Sequence, residues 1–141
     1  KDFAERAGTP YLHVMAQTGL GLAAVTGGDY MAAEGFLAEA LDVARRSKSA
    51  LEFEARLLAH LADTHERAGH KARALDVARE AIDVARRRTD RLGECHATIV
   101  AVAAHDNEDT ALLERARELL RVTSAAILEP IPARSRASSA F

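Results

Sequence analysis

The feature of this chain that most constrains its fold is an internal repeat with a spacing of 41 residues. Residues 28–46 align without a gap to residues 69–87, and nine of the nineteen aligned positions are identical. The matches include a glycine, a glutamate, an aspartate and a pair of arginines in one register, which an excess of alanine alone would not produce. Repeats of this length are typical of proteins that stack similar units along an axis. We therefore expect an array of related structural units.

The composition indicates that these units are helical. Hydrophobic residues form 48% of the chain, whereas aromatic residues form only 4%, and three prolines leave long uninterrupted segments. Much of the apolar content is alanine, which is the best helix former and is small enough to let helices pack closely. The predicted fold class is all-α, with a right-handed superhelical stack of antiparallel helix pairs in about three repeats.

Local signals divide the chain into six helices. Thr9 precedes a proline in the pattern of a helix start, and Ser49 and Glu52 have the spacing of a capping box. Gly28 and Gly69 suit the left-handed conformation that ends many helices. The predicted helices lie near 10–27, 29–47, 50–68, 70–88, 91–105 and 108–128. Asp90 is expected to cap the fifth helix, and Asp106 or Asn107 the sixth.

The residues at equivalent repeat positions resemble the tetratricopeptide repeat. In that family a Leu-Gly pair lies in the first helix of each unit, a Gly-Asp-Tyr turn follows, and small residues mark the contact in the second helix. The first copy here has Leu20-Gly21, Gly28-Asp29-Tyr30, Ala33 and Ala40-Leu41. The second has Leu61-Ala62, Gly69, Ala74 and Ala81-Ile82. At an offset of 38, a weaker third copy has Ile99-Val100, Asn107, Ala116 and Leu119-Leu120.

The spacing of 41 residues, rather than the common 34, is similar to a long-helix variant of this family. That variant occurs in kinesin light chains, in bacterial LuxR-type transcription regulators and in repeat-bearing cyclases. The resemblance implies a domain at 10–128 with repeats at 10–48, 49–89 and 90–128. It also implies the end of an earlier repeat helix at 1–9 and a linker or tail at 129–141. Because the chain lacks an initiator Met and is rich in alanine and arginine, we expect a piece of a larger bacterial regulatory protein.

The sequence lacks the residue patterns that catalysis or cofactor binding requires. His65 and His70 flank a glutamate, but they are five residues apart, whereas paired zinc ligands on one helix face are four apart. Gly19 and Gly21 fit a loose dinucleotide-binding pattern but lie inside a predicted helix. Cys95, the single cysteine, is expected to be a small packed thiol. We predict a protein that is not an enzyme and that uses no metal and no cofactor.

The charge of the chain restricts its partners. A formal net charge of −2 and a pI near 6.3 provide no general attraction for nucleic acid or for an anionic membrane. No segment approaches the roughly 20 apolar residues that span a bilayer. These features predict a cytoplasmic protein whose partner is a protein or peptide, with homo-oligomerisation as a further possibility.

The resemblance implies a concave groove lined by residues of the first helix of each unit. Carried over by motif register, the candidates are Arg56, His60, Asp63 and Arg67 in the second repeat and Glu94, Thr98 and His105 in the third. The first repeat is nearly apolar at these sites, with Met15, Thr18, Leu22 and Val25. A groove that is apolar at one end and of mixed charge at the other suits an amphipathic peptide or helix.

Three functions are compatible with these features. The first is a protein-interaction or sensory scaffold that binds a peptide or helix in the groove. The second is a small-ligand sensor with a mostly apolar pocket, coupled to a distant effector domain. The third is a structural segment that self-associates through an apolar end of the repeat stack.

Overall fold

The computed structural model of this protein describes residues 3–105 and 110–127, with side chains described for residues 8–105 and 110–123. Within these ranges the chain forms six α-helices and one short 3₁₀ helix, Leu51–Phe53, and no strand. The α-helices are α1 (Phe3–Thr26), α2 (Tyr30–Ser47), α3 (Glu54–Arg67), α4 (Lys71–Arg88), α5 (Arg91–Ala104) and α6 (Thr110–Ile127). The prediction of an all-α fold is confirmed for the described part of the chain.

The helices pack as three consecutive pairs. Each helix contacts the next along the chain, and α3 also contacts α1 and α5. We call α1, α3 and α5 the A helices, and α2, α4 and α6 the B helices. Small and branched apolar side chains fill the space between them. The core includes Val14, Leu37, Ala40, Leu41, Ala55, Leu57, Leu58, Ala62, Ala78, Ala81, Ala97 and Ala101. So many alanines allow the helix backbones to approach closely, as the composition predicts.

The 41-residue spacing recurs in the backbone at the ends of the A helices. Gly28 and Gly69 both have left-handed backbones, with φ of 78° and 86°. The amide after each glycine donates to the carbonyl five residues earlier, at 2.9 and 2.8 Å. This pattern is the Schellman motif, which satisfies carbonyls that a helix end leaves without partners. The predicted glycine caps are therefore confirmed.

The first two B helices, α2 and α4, end without glycine and without proline. Lys48 after α2 and Thr89 after α4, again 41 residues apart, adopt left-handed backbones with φ of 55° and 56°. The following amides of Ser49 and Asp90 donate to carbonyls of the last helical turns, at 3.2 and 2.8 Å. A left-handed residue with a side chain is strained by roughly 1 kcal/mol. The hydrogen bonds of the two caps offset part of that strain.

Two predicted helix starts are wrong. The first helix begins at Phe3 and continues through Pro10, although a proline inside a helix removes one hydrogen bond and crowds the carbonyl four residues earlier. The capping box of Ser49 and Glu52 does not form. Ala50 instead takes the position before the 3₁₀ turn, with φ of 60° and no side-chain hydrogen bond. Burial of its methyl group in the core holds the chain there and delays α3 until Glu54.

Asp90 caps α5 as predicted, because its Oδ1 accepts a hydrogen bond of 2.9 Å from the amide of Gly93. The expected caps of α6, Asp106 or Asn107, lie outside the described residues, as does the expected C-terminal tail at 129–141. The division of the chain into repeats and a tail therefore stays a prediction. None of the described helices is both long enough and apolar enough to cross a membrane.

Candidate binding face

Four of the predicted site residues form one row along α3. Arg56, His60 and Asp63 are partly buried, and Arg67 is exposed, so each presents some surface to solvent. Their spacing of four, three and four residues places them on one side of the helix. The Nε of Arg67 donates to Asp63 Oδ2 at 2.9 Å, which is the i, i+4 pairing expected on a helix surface. The structure thus brings these four predicted residues together.

A histidine pair joins this row to α5. The rings of His60 and His96 meet edge to face, with their centroids 4.8 Å apart. The pKa of His60 is lowered to about 4, mainly by burial, and the charges of His96 and Arg56 contribute to the decrease while that of Asp63 opposes it. Burial also lowers the pKa of His96. Both rings are therefore neutral near pH 7, and each offers one donor and one acceptor nitrogen.

Two exposed apolar side chains lie beside His96 on α5. Leu92 is 53% exposed and Ile99 is 42% exposed. They are four residues before and three residues after His96, so the three side chains share one side of α5. We define the A-helix face as these two rows together. It comprises Arg56, His60, Asp63 and Arg67 of α3 and Leu92, His96 and Ile99 of α5.

Arg56 sits at the N-terminal end of this face among partners of its own. Its Nη2 donates a long hydrogen bond of 3.5 Å to Asp90 Oδ1. Its Nε lies 3.4 Å from Asp90 Oδ2, but these two buried atoms form no hydrogen bond. The guanidinium also lies 6.0 Å from the centroid of the Phe53 ring. The ring of Tyr11 on α1 packs near the same ring, with the two centroids 6.3 Å apart. Arg56 is thus held in place by a carboxylate and an aromatic ring while part of its side chain stays exposed.

Glu94 was predicted to line the groove and is instead buried. Its Oε1 accepts hydrogen bonds from Arg86 Nε at 3.0 Å and from Arg115 Nη2 at 2.9 Å. Burial alone would raise the pKa of Glu94, but these two guanidinium groups lower the pKa overall. The carboxylate therefore links α4, α5 and α6, and its side chain is only 7% exposed.

Thr98 also differs from the prediction, whereas His105 is half-buried and stays a prediction. Thr98 is fully buried, and its hydroxyl donates to the carbonyl of Glu94 at 2.7 Å. His105 follows the last residue of α5 and lies 3.4 Å from a guanidinium nitrogen of Arg79 on α4. Thr98 belongs to the packing of α5, and His105 lies at the helix end, away from the row of Leu92 and Ile99.

The error in the third repeat comes from the helical register. Glu54 and Glu94 are both buried, and each pairs with an arginine of the preceding B helix, Arg45 at 3.6 Å and Arg86 at 3.0 Å. The two glutamates are therefore equivalent and are 40 residues apart, whereas the sequence alignment used an offset of 38. Two residues turn a helix by about 200°. The prediction thus selected the buried Glu94 and Thr98 and missed His96, which is equivalent to Arg56 at the offset of 40. Leu92 and Ile99 are not equivalent to any residue of the α3 row, so the repeat does not predict them.

The other reactive side chains form no site in the described residues. No group of three or more His, Cys, Asp or Glu side chains in the described ranges could hold a metal ion. His65 is buried and His70 is exposed, with ring centroids 6.4 Å apart. Burial, with the charge of Glu94, raises the pKa of the Cys95 thiol. A protonated buried thiol is a poor nucleophile.

The lowered pKa of His60 predicts a pH-dependent stability. Because the ring takes up its proton near pH 6.5 when unfolded but only near pH 4 when folded, acid favours the unfolded state. The stability present above pH 6.5 should therefore fall as the pH decreases towards 4. We expect a loss of about 1–2 kcal/mol from this residue, less than the full shift implies because the ring is partly solvated.

Urea unfolding at several pH values between 7 and 4 measures this effect. Carboxylates also titrate near the lower limit, so the useful quantity is the difference between the wild-type protein and His60→Gln. The variant should lose less stability over this interval. An identical loss in both proteins would contradict the assignment to His60.

Comparison with known proteins identifies one related family. Residues 20–103 match the model of the family described as anaphase-promoting complex subunit 5. The matched segment covers more than half of the chain and contains the whole A-helix face. No curated protein and no solved structure matches the chain. The family match agrees with a helical-repeat protein.

Proposed function

The chain belongs to the anaphase-promoting complex subunit 5 family, and we propose that it is an interaction scaffold that binds a helix or peptide on the A-helix face. The exposure of Leu92 and Ile99 on either side of His96 carries this proposal. A pair of exposed branched side chains beside a polar row suits an amphipathic partner, whose apolar side would cover α5. The family is named for a subunit of a complex, which supports a scaffold role.

The electrostatics of the face favour a partner of mixed polarity. His60 and His96 are neutral, so a partner can cover them without burying a charge. Arg67 already pairs with Asp63, which leaves little net charge along α3. We expect binding to depend mainly on apolar contacts at α5, with α3 setting the orientation of the partner through hydrogen bonds.

The wider setting of the module is also part of this proposal. A right-handed superhelix would curve the A helices around the bound segment. The long repeat and the alanine- and arginine-rich composition support a place in a larger bacterial regulator of the LuxR type, located in the cytoplasm.

Selection from a displayed library of random 15-residue peptides tests the proposal. The protein serves as bait, and enriched peptides are synthesised and measured by fluorescence anisotropy. We expect peptides with apolar residues at helical spacing. Ile99→Glu should weaken their binding at least tenfold, because it places a charge in the contact.

Met31→Glu is the matched control, because Met31 is an exposed apolar residue of α2, away from the A-helix face. It should leave peptide affinity unchanged. Equal binding of the enriched peptides to the Ile99→Glu variant would place the interaction elsewhere, and the absence of any enriched peptide would count against the proposal as a whole.

A small-ligand sensor is a second candidate, supported by a cleft between α4, α5 and α6. The cleft has a volume of about 400 Å³, which lies within the range of small-molecule sites. Its lining includes Arg86, Arg91, Arg115, Leu119 and Val122. Glu94 and Glu118 also line the cleft, and Glu94 already pairs with Arg86 and Arg115. Three arginines against two carboxylates leave a net positive charge beside apolar side chains, which suits a small organic anion. A rise in melting temperature with simple carboxylates, together with failure of the peptide selection, would favour this candidate.

A further inference from the structure

The outer side of α1 is an exposed apolar stripe. Leu12 and Leu20 are exposed, and so are Ala16 and Ala23. Their spacing of four, four and three residues places them on one side of the helix. We call these four residues the α1 outer face.

The internal repeat shows what kind of surface this is. Leu20 is 49% exposed, whereas its equivalent 41 residues later, Leu61 of α3, is 7% exposed. The neighbouring positions differ in the same way. Ala16 and Ala23 are exposed, and their equivalents Leu57 and Thr64 are buried. Both helices have a B partner and a following A helix, so the difference comes from the helix pair that precedes α3. The α1 outer face is thus the surface on which a preceding pair would pack.

The last described helix has the complementary surface. Leu41 of α2 and Ile82 of α4 are equivalent positions, and they are 8% and 6% exposed. Between α4 and α6 the offset is 38, because Ala116 and Leu119 are then equivalent to Ala78 and Ala81 and all four are buried. Leu120, which this offset pairs with Ile82, is 46% exposed. Its neighbour Leu119, equivalent to Ala81, stays buried. Leu41 and Ile82 each belong to a B helix that contacts the next A helix, and no A helix follows α6 in the described residues.

We propose that these two surfaces bind each other between copies of this chain, with the α1 outer face of one copy on the Leu120 side of α6 in the next. The contact repeats the packing of α2 on α3 and of α4 on α5, so it continues an interface that the molecule already uses twice. It buries apolar side chains that are exposed in the single chain. Because the two surfaces differ, the association is head to tail and does not close at a dimer. This proposal does not depend on the A-helix face.

Two charge substitutions and their mixture test the head-to-tail geometry. Leu20→Glu damages the α1 outer face and leaves α6 intact, whereas Leu120→Glu does the reverse. Light scattering over a concentration series should show the mass of the wild-type protein rising beyond a dimer. Each variant alone should stay monomeric. An equimolar mixture should form dimers and nothing larger, because only one intact pair of surfaces remains.

Met31→Glu again serves as the control and should associate like the wild-type protein, with circular dichroism confirming that all variants keep their helices. A wild-type protein that stays monomeric at every concentration would overturn the proposal. It would mean that a helix other than α6 of a second copy covers the α1 outer face. Dimers of Leu120→Glu alone would also overturn it, since they require a symmetric contact between two α1 helices. A monomeric mixture would exclude the pairing of these two surfaces.

Discussion

Replacing Gly21 by valine should destabilise the protein by about 3 kcal/mol, at the upper end of the cost of overpacking a core. Gly21 lies on the side of α1 that packs against α2. A Cβ atom at this position would lie 2.7 Å from Cγ and 2.8 Å from Cδ2 of Leu37. Leu37 is fully buried, so it cannot turn away without displacing other core residues. Valine adds two further methyl groups to the same crowded space.

Gly19 provides a matched control, because it lies two residues earlier in the same helix and a Cβ there meets nothing within 4 Å. Gly19→Val should change the stability by less than 0.5 kcal/mol, roughly the gain in helix propensity over glycine. Urea unfolding of both variants gives the comparison. Equal losses from the two substitutions would mean that the cost comes from valine in the helix and not from contact with Leu37.

Several elements of the fold follow from sequence signals that act locally. Gly28 and Gly69 end their helices because a left-handed cap costs glycine little, and that preference does not depend on distant residues. Asp90 caps α5 for a similar reason, through a carboxylate close to the amides it satisfies. The capping box at Ser49 failed because tertiary packing of Ala50 decides the geometry there. Such packing is not visible in a four-residue pattern.

The candidate site was predictable only where the repeat register is unambiguous. The shared side of Arg56, His60, Asp63 and Arg67 could be predicted from the sequence. The segments that form α2 and α4 align without a gap, and this alignment fixes the repeat register of α3 between them. In the third repeat an offset wrong by two residues for the A helix selected Glu94 and Thr98, whose side chains are buried. The exposure of Leu92 and Ile99 depends on which sides of α5 are covered by α3, α4 and α6. A single sequence carries no direct signal for that arrangement.

Glu94→Ala should destabilise the protein by about 2–3 kcal/mol, although it removes a residue first assigned to binding. The carboxylate is buried where α4, α5 and α6 meet, and it accepts hydrogen bonds from Arg86 and Arg115. Breaking a fully buried ion pair costs about 3–5 kcal/mol. The expected cost is lower here because both arginine side chains are partly exposed and regain water when the carboxylate is lost.

Glu80→Ala is the control for this substitution. Glu80 also pairs with an arginine, Arg45 at 2.8 Å, but both side chains are well exposed. Its loss should cost less than 1 kcal/mol, as for other surface pairs. Urea unfolding of the two variants therefore separates burial from charge. Equal small losses would show that Glu94 contributes little to holding the helices together, and its carboxylate would again be a candidate for contact with a ligand in the cleft beside α6.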